Sequence, residues 1–259
     1  MTRAAIHPTA IVETGADLAD NVCVGAYAYV GSDVKIGSGC DIRHHACVDG
    51  WTEMGEHNTV YPYACVGFQT QDLKFRGGRP GLKIGDRNVF REFCTVHTAT
   101  GDGDRTIIGS HNCILAYAHV GHDSVVGNHC ILSNNGTLAG HVRMEDHVII
   151  SGLAGVHQFC RLGVHAFIGG CSKVVQDVPP YMIADGNPAA VRTVNKVGLE
   201  RNGFTPEQLR IVRLAYRILY RDGLNHSQAL ARLEALPEAG DPILRRLIAF
   251  VRDSGRGVA

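Results

Sequence analysis

A six-residue period runs through the first 174 residues of this 259-residue chain and limits its fold more than any other feature. From residue 6 onward, 26 of the 29 positions spaced six apart are apolar, and only Asp72, Gly78 and Asp102 interrupt the series. A period of six matches neither the 3.6-residue α-helix nor the two-residue alternation of a strand. It is typical of the hexapeptide repeat of a parallel β-helix.

A second position of each hexad is also restricted. Two residues before the apolar position the sequence carries a small side chain, as at Ala28, Cys40 and Ala64. Positions two apart on a strand face the same side, so one large and one small side chain point inward and fit a narrow triangular prism. Three hexads make one 18-residue coil, so the repeat predicts about nine coils stacked roughly 4.8 Å apart. Glycine often follows the apolar position, as at Gly121, where the chain must soon turn a corner.

The repeat ends near Val174 and predicts two domains, a β-helix over 1–190 and a helical domain over 191–259. An extended Pro-Pro segment, Asp177 to Pro188, joins them. Thr205 to Gln208 has the sequence of an N-cap, a proline at the first helical position and a capping box.

That helix is predicted to end at Gly223. A second helix is predicted to begin at Ser227, and a third at Asp241 and Pro242, ending near Ser254.

Composition excludes several classes of protein. The formal net charge is zero, which argues against general nucleic-acid binding. No run of 18 apolar residues exists, so no membrane span is expected. The first residues, MTRAAIHPTAIV, lack the long apolar core of a signal peptide, and we therefore expect a cytoplasmic protein.

The nine cysteines invite a disulfide or metal interpretation. No CxxC motif is present, and four cysteines occupy the small inward position, where a free thiol acts as a small hydrophobe: Cys40, Cys94, Cys130 and Cys160. We expect all nine to be reduced and non-catalytic.

The C-terminal region is basic. From 196 to 259 there are 11 Lys and Arg against 7 Asp and Glu, a net of +4, and Arg210, Arg213, Arg217 and Arg221 share a helix face. This face is either simply solvated or a docking surface for an acidic partner.

Two insertions interrupt the repeat. The chain adds twelve residues between Val66 and Ile84 and six between Val96 and Ile108. When these are discounted, five hexads fall three apart and stack on one face of the prism: Val66, Val96, Val120, Leu138 and Val156. Both loops therefore leave from one edge, which also carries His122, Gly140 and Gln158. Long excursions from a tight repeat are usually functional.

His122 and Asp123 lie at a turn on that edge, and one coil later Gly140 and His141 lie directly above them. A histidine beside a carboxylate and a glycine N–H has the parts of a general base and an oxyanion donor. No serine or cysteine nucleophile has a comparable arrangement, which favours direct attack by a bound substrate.

Two other readings of the histidines stay open. The chain has fourteen, and a repeat stacks some of them by accident. Alternatively, His119, His122, His141 and His157 are clustered, and three histidines can hold zinc between hexapeptide prisms.

Particular segments resemble the UDP-N-acetylglucosamine 3-O-acyltransferase family of lipid A synthesis. The resemblance covers essentially the whole chain and rests on these segments: IHPTAIVETGA at the N-terminus, QDLKF at 71–75, AHVGHD at 118–123, NNGTLAGHV at 134–142, VHQFC at 156–160 and GGCSKVVQDVPPYMIADGN at 169–187.

The resemblance implies a left-handed β-helix and transfer of a 3-hydroxyacyl group from acyl carrier protein to the 3-hydroxyl of UDP-N-acetylglucosamine, with no cofactor and no metal. It implies that His122 is the general base, that Asp123 orients it, and that Gly140 supplies the backbone donor. It assigns substrate binding to Asp72, Lys74, His119, His141, His157 and Gln158, and nucleotide binding to Asn195 and Arg201.

The resemblance also implies a homotrimer, with sites in clefts between prisms. Gly170, together with neighbours such as His165, would set acyl length, and a glycine there predicts a longer chain. The second loop, HTATGDGDRTIIG, differs from the family pattern, as do Val197, Phe68 and Thr70. These departures leave open an acceptor with a 3-amino group.

Three alternatives remain. The N-acyltransferase of the same pathway would carry an extra N-terminal domain, whereas this repeat starts at residue 6. A zinc-dependent γ-type carbonic anhydrase predicts bound zinc. A non-catalytic hexapeptide scaffold predicts no binding of acyl carrier protein.

Overall fold

Three parallel sheets form the sides of a triangular prism in the structure, a computed structural model that describes residues 4–259. Sheet A contains Ala5–Ile6 (β1), Cys23–Val24 (β4), Asp41–Ile42 (β7), Thr59–Val60 (β10), Val89–Phe90 (β13), Cys113–Ile114 (β16), Ile131–Leu132 (β19), Ile149–Ile150 (β22), Phe167–Ile168 (β25), Met182–Gly186 (β27) and Ala189–Val194 (β28).

Sheet B contains Ile11–Val12 (β2), Tyr29–Val30 (β5), Cys47–Val48 (β8), Cys65–Phe68 (β11), Thr95–His97 (β14), His119–Val120 (β17), Thr137–Leu138 (β20), Gly155–Val156 (β23) and Lys173–Val174 (β26). Sheet C contains Asp17–Leu18 (β3), Lys35–Ile36 (β6), Trp51–Met54 (β9), Gly81–Ile84 (β12), Arg105–Ile108 (β15), Val125–Val126 (β18), Arg143–Met144 (β21) and Arg161–Leu162 (β24). The chain passes from A to B to C in every coil, and we name the corners A/B, B/C and C/A.

The hexapeptide prediction is confirmed: all 26 apolar repeat positions lie in β1 to β26. The large inward residues, such as Ile42, Leu132 and Ile168, are fully buried, and so are the small ones, such as Cys94 and Ala118. Burying each large aliphatic side chain contributes about 1.5–3 kcal/mol to the stability of the fold, and every coil of the prism adds such side chains.

A ladder of asparagines also runs inside the prism, below the C/A corner. The Asn58 side-chain oxygen accepts from the backbone N–H of Asn88 at 2.8 Å, and Asn88 repeats the contact to Asn112 at 2.9 Å. Asn112 then accepts from the Cys130 N–H at 2.7 Å. The buried amides are thus paired with the next coil, which satisfies polar groups that would otherwise destabilise the core.

The corners depend on residues with a left-handed backbone, and this corrects the role expected for glycine. Nineteen non-glycine residues have positive φ, among them Tyr117, Asp123 and His129, each three residues after a repeat position. Gly121 does not share this conformation. A Cβ at Gly121 would lie 2.7 Å from the carbonyl carbon of Ala139, so the need for glycine there is close approach of the next coil.

The two insertions leave the pairing of the coils intact. Val66 on β11 pairs with Val96 on β14, and the in-register series continues through Val120, Leu138 and Val156. The predicted stacking of these positions on one face is therefore confirmed.

The C-terminal end of the prism differs in detail from the prediction. The Pro-Pro segment leads into the antiparallel hairpin β27–β28, which extends sheet A, with a cis bond between Asn187 and Pro188. Helices follow at Lys196–Arg201 (α1), Pro206–Tyr220 (α2), His226–Glu234 (α3) and Pro242–Arg252 (α4), with a 3-10 turn at Pro237–Gly240.

The helix boundaries largely match. The Thr205 capping box and the start of α4 after Asp241 are confirmed. The second predicted start, at Ser227, is wrong by a residue: α3 begins at His226, and Asn225 forms the capping box with Gln228. Helix α1 was not predicted, because its six residues carry no apolar period.

All nine cysteines are free thiols, and the four at inward positions are buried, as expected. On α2, Arg210 pairs with Glu207 at 2.8 Å and with Glu238, and Arg217 contacts Asp222 at 3.9 Å. The basic face is therefore partly neutralised within the chain. Within the described residues, no helix combines the length and apolar character needed to cross a membrane.

Candidate active site at the B/C corner

His122 and Asp123 occupy the turn that follows β17. Asp123 has φ +59°, and this turn brings its Oδ2 to 2.7 Å from His122 Nδ1. A carboxylate only accepts, so Nδ1–H is the donor, and the neutral imidazole keeps its lone pair on Nε2. Thr100 Oγ1 also lies 3.1 Å from Nδ1. The histidine is thus held in the tautomer that a general base requires.

Asp123 is kept ionised by its surroundings. Burial alone raises its pKa, but hydrogen bonds from His122 and Thr100 and the nearby His141 outweigh burial and lower the pKa below its usual value. The Thr100 N–H donates to Asp123 Oδ1 at 3.2 Å, and the Asp123 N–H donates to Thr106 Oγ1 at 2.9 Å. A partly buried carboxylate therefore sits behind the imidazole, on the side of Nδ1.

Gly140 lies directly against the free edge of the His122 ring, as the coil arithmetic predicts. A Cβ at this position would collide with Cε1 and Nε2 of His122. Within residues 4–259 no acceptor is paired with the Gly140 N–H. A backbone donor that is close to a general base and not otherwise used is what a developing oxyanion needs.

The first loop brings a second carboxylate to the same point. Ligand atoms of Asp72, His122 and His141 all lie within 4.8 Å of one another. The Asp72 N–H donates to Thr70 Oγ1 at 3.0 Å, and Thr70 bonds Thr100 at 2.9 Å, so the two loops brace each other. His141 stands perpendicular to His122, with ring centroids 5.3 Å apart.

Two imidazoles and a carboxylate also suit a divalent metal ion. The predicted zinc quartet is only partly brought together, because His119 and His157 do not belong to this group. His122 Nδ1 is already bound to Asp123, so a metal would have to bind Nε2. The same lone pair cannot accept a substrate proton, and the two uses exclude each other.

His119, which is partly buried, packs against the buried His97 beside the site. His119 Nδ1 lies 2.7 Å from Thr95 Oγ1, and burial, with His97 and His122 nearby, lowers the pKa of His119 to about 4. Burial and His122 also lower the pKa of His97. Both rings are therefore neutral near pH 7. The sequence analysis did not select His97 or Thr100. Both lie in the second loop, and their position there was the available signal.

Other predicted residues surround this centre at the surface. Lys74 is exposed on the first loop, and its N–H donates to Asp72 Oδ1 at 2.9 Å. His157 and Gln158 are exposed at the next coils of the same corner, where His157 Nδ1 lies 3.2 Å from the Gln158 carbonyl.

Four predicted residues lie elsewhere in the chain. Asn195 is buried as the cap of α1, donating to the His165 carbonyl at 2.9 Å and accepting from the Gly198 N–H at 3.1 Å. Arg201 ends α1 and is exposed. His165 is buried at the C/A corner, whereas Gly170 is exposed at the A/B corner.

The parallel β-helix, with a histidine–carboxylate pair at a loop-covered corner, places the chain in the class of hexapeptide-repeat proteins. Comparison with known proteins specifies the class further. The family model described as "Udp N-acetylglucosamine O-acyltransferase; Domain 2" matches residues 177–259. Curated relatives named acyl-[acyl-carrier-protein]–UDP-N-acetylglucosamine O-acyltransferase include one from Burkholderia lata, 46% identical over 100% of this chain and 99% of the relative. Another, from Stutzerimonas stutzeri, is 46% identical over 96% of this chain and 95% of the relative.

Solved structures agree. LpxA from Acinetobacter baumannii superposes with a TM-score of 0.94 at 38% identity, over 98% of this chain and 99% of that one. LpxA from Moraxella catarrhalis gives 0.93 at 40% identity, over 98% of each chain. The β-helix is left-handed, as these relatives are. The chain belongs to the UDP-N-acetylglucosamine O-acyltransferase family and is an acyltransferase.

Proposed function

We propose that this protein transfers a 3-hydroxyacyl chain from acyl carrier protein to the glucosamine 3-hydroxyl of UDP-N-acetylglucosamine, the first step of lipid A biosynthesis. The relatives it resembles over its full length are named for acyl carrier protein and UDP-N-acetylglucosamine. The observation that carries the mechanism is the His122 ring, with Nδ1 bound to Asp123 and its Nε2 edge against Gly140.

The proposed chemistry is a single general-base displacement. His122 Nε2 takes the proton of the 3-hydroxyl as that oxygen attacks the thioester carbonyl carbon. The Gly140 N–H holds the oxyanion of the tetrahedral intermediate. Collapse of the intermediate breaks the carbon–sulfur bond, and the departing thiolate takes the proton back from His122. No cofactor is required, and no covalent acyl-enzyme forms.

The acidic and basic groups around His122 have separate proposed tasks. Asp123 stabilises the imidazolium that forms during attack. Asp72, His141 and Lys74 bind the sugar, since Asp72 and His141 converge on the His122 ring. His119, His157 and Gln158 complete the walls of the site. Arg201 contacts the nucleotide, and Asn195 caps α1, the helix that carries Arg201.

A homotrimer is the assembly that we propose. One edge of the prism, the A/B corner, carries an exposed apolar column whose members are each between 44% and 65% exposed: Tyr27, Tyr63, Phe93, Tyr117 and Leu153. Their aromatic rings stack, with the Tyr63, Phe93 and Tyr117 centroids 5.1 and 4.9 Å apart. An apolar stripe of this length needs cover. A neighbouring prism would supply it and would bring its own Gly170, at that corner, beside the acyl chain.

An acidic carrier protein is the proposed partner of the C-terminal helices. The region from 196 to 259 carries a net charge of +4. Within residues 4–259, Arg213 and Arg245 have no carboxylate within 4.0 Å and are exposed. Both are therefore available to carboxylates of a docked carrier. We propose a cytoplasmic reaction, because the donor is an acyl carrier protein thioester.

The decisive assay offers UDP-N-acetylglucosamine and a panel of 3-hydroxyacyl carrier proteins that differ in chain length. We expect UDP-3-O-acyl product, with longer chains preferred because Gly170 leaves the groove open. An acceptor that lacks the 3-hydroxyl should give no product, and a 3-amino acceptor tests the remaining alternative. Absence of transfer with every thioester would refute the assignment. Light scattering should give three times the 27.9 kDa chain mass, and a monomer would refute the trimer.

A further inference from the structure

The outward residues of sheet C form a column whose charge pattern changes beside the active site. Successive coils place eight residues in register along this face: Asp17, Lys35, Glu53, Lys83, Ile107, Val125, Arg143 and Arg161. The first four alternate in sign. Two apolar residues follow at the level of His122, and the column ends in two adjacent arginines.

Alternating charges on neighbouring strands stabilise a sheet, whereas like charges in register repel. Glu53 illustrates the first case, lying between Lys35 and Lys83 and bonding Arg105 at 2.8 Å. Arg143 and Arg161 illustrate the second, because they are direct partners of β21 and β24. The repeat itself does not require two arginines in register at this point.

The arginine pair lacks an anionic partner in the part of the chain that the structure describes. Arg143 is exposed and makes no ion pair there. The Arg161 guanidinium donates to the Asp253 carbonyl at 3.0 Å and lies over the Phe250 ring at 4.3 Å, while the Arg161 backbone N–H donates to the Asp177 carboxylate at 2.8 Å. The nearby carboxylates are engaged elsewhere. Glu145 binds Arg246 at 3.0 Å, and Asp146 accepts from Asn128.

A groove joins the arginine pair to the catalytic residues. A cavity of about 220 Å³ is lined by Asp123, His141, Phe159 and the two arginines. A second cavity, of about 330 Å³, shares Val125, Arg143 and Arg161 and extends to Arg246 on α4. An extended ligand whose reacting end lies at His122 would therefore pass over Val125 and reach the arginines.

We infer that Arg143 and Arg161, with Arg246 at the far end of the groove, form a subsite for the phosphate of a substrate. The inference rests on the proposed function, which supplies two sources of that phosphate. One is the diphosphate of the nucleotide sugar, and the other is the phosphodiester of the arm that carries the thioester on acyl carrier protein. Guanidinium groups bind phosphate oxygens through paired, charge-assisted hydrogen bonds, which lysine cannot reproduce.

The test removes the two charges while keeping side chains of similar shape, in the full-length double variant Arg143→Gln and Arg161→Gln. Arg43→Gln is the matched control, since Arg43, just after β7, is partly exposed and already pairs with Asp41 at 3.1 Å. Titration calorimetry with inorganic pyrophosphate is the direct probe. We expect the double variant to weaken pyrophosphate binding about 10- to 100-fold and the control to leave it unchanged.

Kinetics then distinguish the two sources. If the nucleotide diphosphate occupies the subsite, KM for UDP-N-acetylglucosamine rises about 10-fold or more in the double variant, with kcat changed far less. If the carrier arm occupies it, wild type prefers an acyl-phosphopantetheine donor over acyl-pantetheine, and the double variant loses that preference. Arg143→Gln alone, which removes the repulsion and keeps the Arg161 contacts, should leave the melting temperature equal or higher, which a purely structural role for Arg143 would not do.

Unchanged pyrophosphate binding together with unchanged KM values for both substrates would overturn the subsite and leave the proposed function standing. Conversely, if wild type transfers no acyl group at all, the proposed function fails. The pyrophosphate titration still decides the subsite in that case.

Discussion

Two corners of the same prism are rich in histidine, yet only one has the geometry of a catalyst. The C/A corner stacks four parallel imidazoles with centroids 4.6–4.9 Å apart: His111, His129, His147 and His165. At the B/C corner, His122 and His141 are perpendicular. Among the histidines of residues 4–259, only these two lie within 4.0 Å of a carboxylate oxygen, and it belongs to Asp123.

The difference comes from what the two corners add to the repeat. Both corners use left-handed residues at the same place in the hexad, as Asp123 and His129 show. At the C/A corner the left-handed residue is itself the histidine, and its ring stacks on the next coil. In the coil that carries His122 at the B/C corner, the left-handed residue is Asp123, which leaves the preceding His122 free to turn its Nε2 edge toward Gly140. The regular repeat produces the column of stacked histidines at the C/A corner. A departure from that pattern produces the arrangement of His122 and Asp123 at the B/C corner.

The largest expected effect separates the corners by activity. His122→Ala should lower kcat by about 10³-fold or more, because a general base contributes typically 10²–10⁴. His129→Ala, the matched change at the C/A corner, should leave kcat within about twofold, with circular dichroism confirming the fold of both. Comparable activity in the two variants would remove His122 from the mechanism.

A smaller loss should follow when the carboxylate alone is neutralised. Asp123→Asn keeps a residue that tolerates the left-handed backbone but no longer stabilises the imidazolium, so kcat should fall about 10²-fold. The KM for UDP-N-acetylglucosamine should change little in steady-state assays. A rise in KM without a loss of kcat would instead show that Asp123 acts in substrate binding.

The C/A corner should reveal itself through stability. Burial, with His147 and Arg246 nearby, lowers the pKa of His165 to about 4. Below about pH 6.5 the unfolded chain therefore binds a proton that the folded chain does not, and folding stability falls as the pH drops toward 4. Urea unfolding should show that His165 lowers the free energy of unfolding by about 2 kcal/mol between pH 7.5 and pH 5.0.

Replacing this histidine isolates its share of the acid sensitivity. His165→Asn, which tolerates the left-handed backbone, should reduce the difference in stability between the two pH values. His129→Asn, at an exposed member of the same column, is the control and should not. An unchanged pH dependence in His165→Asn would show that other groups account for the acid sensitivity.

The smallest expected effect concerns metal. Prolonged dialysis against a strong chelator should leave acyl transfer unchanged, because the proposed mechanism uses the Nε2 lone pair of His122 for a proton. Loss of activity that Zn²⁺ restores would show that Asp72, His122 and His141 hold a metal ion, and that the B/C corner is a zinc site.

The sequence predicts most of this architecture because one period governs it. The phase of the repeat is enough to stack Gly140 on His122 and to bring both loops to the B/C corner. It cannot give the internal path of a loop. Asp72 was therefore indicated only by the family resemblance, and the bonds from Thr100 to His122 and Asp123 were not predicted. The hairpin β27–β28 and α1 lie beyond the last coil, where no period applies.

For some site residues, the family resemblance and the geometry of the structure indicate different roles. Asn195 resembles a nucleotide-binding position, but both groups of its amide are engaged inside the chain, at His165 and Gly198. Such a residue shapes the surface of α1 rather than offering its own side chain. The predicted role of Gly170 in acyl length depends on the neighbouring subunit of the proposed homotrimer.

The in-register pairing of Val66 with Val96 across the first loop has an evolutionary consequence. Because the coils on either side of an insertion are joined directly, the length and sequence of the inserted loop can change while the backbone of the prism stays where it is. A lineage can therefore rewrite the segment between β11 and β12 without moving the turn that carries His122 and Asp123.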